Sequence, residues 1–111
     1  MKDPRYDGKP LLRLIELWVL WVIDEIDEDD ISRLQAMEPK LRETWHLTGT
    51  WHEMIESVLK LEPAIRDELR RVWLHNVETA KQLGFPSPKQ EFVHAIADQL
   101  AGIAPESPEL P

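Results

Sequence analysis

The residues best spaced for chemistry are two Glu-x-x-His triplets, Glu43 to His46 and Glu91 to His94. A step of three puts both side chains on one helix face. Dimetal carboxylate bundles use two such pairs plus a glutamate from each of two further helices. Ligands of that kind must point into the core. On helical projection, however, Glu43 and His46 lie opposite Leu34, Leu41 and Trp45, while Glu91, His94 and Asp98 lie opposite Phe92, Ile96 and Leu100. Both pairs are therefore expected to face solvent, and Glu16 falls on the polar stripe of its own segment. A metal centre at Glu43, His46, Glu91 and His94 is the alternative reading, and no cofactor is expected. His52-Glu53 does not extend to a zincin, because position 56 is Glu where the second histidine ligand would stand.

A second constellation is the doublet Thr44-Trp45-His46 and Thr50-Trp51-His52, which flanks a turn at Gly49. Tryptophan is enriched at protein interfaces, so Trp45, His46, Trp51 and His52 are candidate partner contacts. Both Trp also fall on the core faces of their helices. A cationic His46 would suit a helix C-terminus, whereas a positive charge on His52 is disfavoured early in a helix.

A third is the run Asp24, Glu25, Asp27, Glu28, Asp29, Asp30, six carboxylates in seven residues. It lacks the central glycine and alternating ligand spacing of a calcium loop. At a helix C-terminus these charges meet a negative dipole end, and at the start of the next helix a positive one. The run is expected to be a connector that caps the second helix and a candidate docking site for a basic partner. Asn76 falls within an apolar stripe and is expected to fix helix register. Leu74 projects among Asp67, Arg70 and Lys81 on the charged side of the same segment, where one exposed leucine is unremarkable.

Nothing supports nucleophilic catalysis. Ser32, Ser57, Ser87 and Ser107 lack a nucleophile-elbow context, and there is no cysteine and no Gly-rich phosphate loop. The charge balance of 13 basic against 21 acidic residues, net -8, opposes binding to nucleic acid or an anionic membrane. That excess is local: with residues 24–30, Glu106 and Glu109 set aside, the remaining carboxylates equal the Lys and Arg in number. Residues 11–23 are apolar but interrupted by Arg13 and Glu16, followed by acidic residues and by no small-residue cleavage site, so neither a signal peptide nor a membrane span is expected. The cysteine-free composition fits the cytoplasm.

The elements that must position these residues are helices. Gly and Pro fall at helical intervals, and no stretch alternates apolar and polar residues. The pattern predicts an all-α, compact, largely antiparallel bundle of about five helices over residues 10–102, with a flexible arm at 1–9 and a disordered, acidic, Pro-rich tail at 103–111. The first helix is expected to run from Pro10 to about Glu28 with an unusually wide apolar stripe, either central in the domain or shared with a second subunit. Asp29 or Asp30 would cap the second, with Ile31, Leu34, Met37, Leu41 and Trp45 inward and Pro39 kinking or restarting it. Thr50 and Glu53 form a capping box for the third, whose inward face holds Trp51, Met54, Ile55, Val58 and Leu59. The fourth opens at Pro63, faces Ile65, Leu69, Val72, Trp73, Ala80 and Leu83 inward and stops at Gly84. The fifth buries Phe92, Val93, Ile96 and Leu100.

These features together predict a small, acidic, non-enzymatic helical protein that works by protein–protein contact. It is expected to form a homodimer through Leu11, Leu14, Ile15, Trp18, Trp21 and Val22.

Overall fold

The structure, a computed structural model, describes residues 10–46 and 48–103. Five α-helices form, α1 (Pro10–Val22), α2 (Glu28–Trp45), α3 (Trp51–Leu59), α4 (Ile65–Leu83) and α5 (Lys89–Ile103), and the described residues contain no strand. The all-α expectation holds. The arm at 1–9 and all but the first residue of the expected tail lie outside the described residues.

The wide apolar stripe of α1 makes it the axis of the domain. It touches each of the other four helices and packs most extensively along α5. Leu14, Ile15, Trp18 and Val22 are only 0–5% exposed within the single chain, while Leu11 and Trp21 stay half-buried. Four of the six residues expected to drive self-association are thus covered by the chain's own helices.

α1 stops at Val22, several residues before the expected end. Asp24 takes the left-handed conformation, with φ 61°. Its amide donates to the Trp21 carbonyl at 3.2 Å and the Glu25 amide to the Leu20 carbonyl at 2.9 Å, a Schellman pair that satisfies the helix end. Continuing the helix would have stacked carboxylates on its negative pole. Asp27, rather than Asp29 or Asp30, is the N-cap of α2. Its side chain accepts from the Asp30 amide at 2.8 Å, and the Asp30 carboxylate accepts from the Asp27 amide at 3.1 Å.

α2 continues through Pro39 as one helix and buries Leu34 and Leu41. The stripe it turns inward is Asp30, Leu34, Met37 and Leu41, spaced four, three and four, so Ile31, one step around the helix, is exposed where burial was expected. α3 begins on the anticipated Thr50–Glu53 capping box and buries Met54, Ile55, Val58 and Leu59.

α4 departs most from expectation. Leu69 and Trp73 are buried, but Val72 and Leu83 are exposed, and nothing in the helix beyond Trp73 is fully buried. Val72 lies one step around the helix from Trp73, whereas Leu83 belongs to the half that extends past the end of α1, since Arg70 already reaches the Val22 carbonyl there. Asn76 lies where the stripe leaves the core and is only half-buried, which removes the cost of a core amide. The helix ends at Gly84, left-handed with φ 76° as anticipated. α5 packs Phe92 against Trp73, with ring centroids 5.2 Å apart, and buries Val93 and Ala97, while Ile96 and Leu100, expected inside, are only half-buried.

Ile15→Ala on the axis should destabilise the fold by about 2–5 kcal/mol, whereas Leu83→Ala on the projecting half of α4 should change stability by less than about 0.5 kcal/mol. Urea unfolding of the two variants checks this, and a large loss at Leu83 would place that half of α4 in the core.

Candidate functional site

The densest polar and aromatic cluster is built around Glu56 of α3. Its carboxylate accepts from Trp18 Nε1 of α1 at 2.9 Å and from the Arg66 guanidinium of α4 at 2.5 and 2.7 Å. Burial pushes this carboxyl up, but the hydrogen bonds from Arg66 and Trp18 outweigh it and hold the group below the usual glutamate range. Arg66 in turn lies over the Trp21 ring, 4.9 Å from its centroid, a cation–π contact. His52 stacks on Trp21 at 4.0 Å and 15°, and Trp51 meets Trp21 edge-on at 5.7 Å.

Of the four aromatic and histidine residues singled out around Gly49, Trp51 and His52 join this cluster. His46 instead ends α2 as an exposed, left-handed cap whose amide donates to the Arg42 carbonyl. Trp45 closes α2, and its side chain lies outside the described residues. Burial, and then the charge of Arg66, lower the His52 pKa, against a smaller opposing pull from Glu56 and Glu53. Both effects favour the neutral ring, and its buried Nδ1 has no hydrogen-bond partner among the described residues. Glu56 and Arg66 escape sequence reasoning because they lie on different helices. The available signal was only that His52 and Glu56 share a face of α3.

The Glu-x-x-His pairs do not converge. Glu43, His46 and Glu91 are exposed, and among the described residues no three His, Asp or Glu side chains form a group able to hold a metal ion. His94 does not point to open solvent as expected. It is half-buried, 4.0 Å from Glu16, whose side chain is 7% exposed. Glu16, assigned to solvent with the polar stripe of α1, is covered where α5 packs on that helix. Beside this pair is a cleft of about 280 Å³ lined by Arg13, Arg33 and Lys89 against Glu16, Asp27 and Asp30. Its opposed charges leave no dominant sign for a ligand to read, and Arg33 already pairs with Asp30 at 3.3 Å.

The acidic connector divides into two sets. Asp30 is buried and, with Asp27, serves the α2 cap, whose amide bond from Asp30 holds the Asp27 carboxyl below its ordinary range. Asp24, Glu25, Glu28 and Asp29 are exposed and form no ion pair among the described residues. Asp24 also forms part of the rim of a groove of about 450 Å³ between the end of α1 and the middle of α4. Trp21, Val22, Ile23, Trp73 and Leu74 supply its apolar walls. Arg70 stands on the α4 side and donates its Nε to the Val22 carbonyl at 2.8 Å, satisfying an end carbonyl of α1. Leu74, read as an incidental surface leucine, is a wall of this groove. No protein family, curated protein or solved structure matches the chain.

The lowered His52 pKa carries a sign. The unfolded chain takes up the proton first, so the stability contributed by neutral His52 is complete above its ordinary value of about 6.5 and is lost as pH falls toward the folded-state value. His52→Phe keeps a ring on Trp21 and removes both the titration and the unpartnered nitrogen. Between about pH 7 and pH 5, wild type should lose stability relative to this variant in chemical unfolding. Parallel pH profiles for the two proteins would contradict the assignment.

Proposed function

We propose that this protein acts in the cytoplasm as a non-enzymatic binding module that recognises a basic surface on a protein partner. The observation that supports it is the set of four exposed carboxylates, Asp24, Glu25, Glu28 and Asp29, with no ion pair among the described residues, in a chain whose charges balance once residues 24–30, Glu106 and Glu109 are set aside. Like charges this close repel one another, and an approaching cationic surface relieves that repulsion while being steered toward it. Asp27 and Asp30 contribute to the field of the connector but are held by the cap. No helix among the described residues is long and apolar enough to cross a membrane, and the net charge of -8 disfavours nucleic acid. A homodimer through the first helix finds little exposed surface to rest on, because Leu14, Ile15, Trp18 and Val22 are enclosed in one chain.

Affinity capture from the host lysate, followed by mass spectrometry, tests this reading with wild type and the variant Asp24→Asn, Glu25→Gln, Glu28→Gln, Asp29→Asn. Asparagine suits the left-handed position 24, and the Asp27 cap is left intact. The partners of wild type should carry basic surfaces, be lost with the variant and be released by about 0.5 M salt, where exposed charges are screened within about 4–5 Å. Retention of the same partners by the variant would contradict the reading.

A further inference from the structure

Resting on that reading, we infer that the groove between α1 and α4 seats a short amphipathic segment of the partner, with a bulky apolar side chain between Trp21, Trp73 and Leu74 and lysines or arginines against the acidic connector.

The groove has the volume and lining for such an anchor. About 450 Å³ accommodates a leucine- or phenylalanine-sized side chain with its neighbours, and half-buried Trp21 and exposed Leu74 supply most of the open apolar surface, Trp73 being only 5% exposed. Leu74 is 65% exposed, so burying it would recover apolar area that the chain leaves in water. Charge complementarity identifies the occupant. Asp24 is on the rim, Glu25 follows it, and Glu28 and Asp29 open the next helix.

Arg70 also lines the groove. Its guanidinium stands on the α4 wall, bonded to the Val22 carbonyl and 3.8 Å from Asp67. The charge of Arg70 is thus engaged by the end of α1 and by Asp67, which leaves the exposed carboxylates of Glu25, Glu28 and Asp29 for the cations of the bound segment, with its apolar side chains toward Trp73 and Leu74. This is helix-in-groove recognition, in which apolar anchors give affinity and flanking charges give orientation.

The probe is a synthetic Trp-free peptide of about four helical turns, with Leu and Phe on one face and Lys on its flank, against a counterpart in which every Lys is Glu. Binding is read from the protein's tryptophan fluorescence. The Lys peptide should bind and the Glu peptide should not. Leu74→Asp should weaken binding about tenfold or more, and Leu74→Met should retain it, with circular dichroism showing that both keep the fold. The four-site neutralised connector should also bind about tenfold more weakly, with a flatter salt dependence. If Leu74→Asp binds as wild type while the neutralised connector does not, the groove is not the seat and the acidic recognition reading stands. Unchanged binding by the neutralised connector overturns that reading, and this inference with it. Failure of the Lys peptide to bind, or equal binding of both peptides, overturns the docking proposal.

Discussion

One carboxylate, that of Glu56, ties three helices together. α1 is so apolar that it buries itself wherever partners are available, and apolar burial alone is non-directional. Direction comes from the charge-assisted bonds that Glu56 accepts from Trp18 on α1 and Arg66 on α4. A partly buried carboxylate without those donors would be costly, so α3 and the start of α4 have a specific place beside α1. Arg66, Arg70 and Trp73 follow at steps of four and three along the face of α4 that meets α1. Setting Arg66 therefore brings Arg70 to the Val22 carbonyl and Trp73, with Leu74 beside it, to the groove wall.

The second constraint is the short distance in which the chain must leave α1 and enter α2. Asp24 closes one helix in a left-handed turn, and Asp27 with Asp30 opens the other. Aspartate suits both jobs, since its short polar side chain tolerates the left-handed region and makes strong N-caps. Those roles account for half the run. Asp24 itself, with Glu25, Glu28 and Asp29, still points outward, and first-turn charges at Glu28 and Asp29 interact favourably with the α2 dipole while remaining exposed. Local folding requirements and an exposed negative surface are thus compatible in one segment.

Much of this architecture is legible in the sequence, because local signals set it. The Thr50–Glu53 box, the Gly84 stop, the Met54, Ile55, Val58 and Leu59 face of α3 and the burial of Phe92 and Val93 in α5 follow from spacing within a few residues of chain. What depends on distant packing is not legible. Glu16 is assigned to solvent by its own helix's pattern, yet α5 covers it. Leu83 continues a convincing apolar stripe, but the helix it lies on is longer than its support, and Val72 is exposed because it lies one step around the helix from buried Trp73. The end of α1 is misplaced because an apolar and then charged pattern does not reveal that Asp24 will turn left-handed. The candidate site is similarly divided: the acidic connector and Trp21 are visible as candidates, whereas Trp73, Leu74 and Arg70 join them only once α4 is placed against α1, and Glu56, which places it, is read from sequence only as a missing ligand.

The most direct test of the Glu56 tie is a double-mutant cycle on Glu56→Gln and Arg66→Met, with folding free energies measured by urea unfolding at neutral pH. A bidentate pair that organises three helices should show a coupling energy above about 1 kcal/mol, beyond the range of ordinary surface pairs. Additive effects, with coupling near zero, would mean that α4 is held by apolar contact alone and that Glu56 does not position the groove.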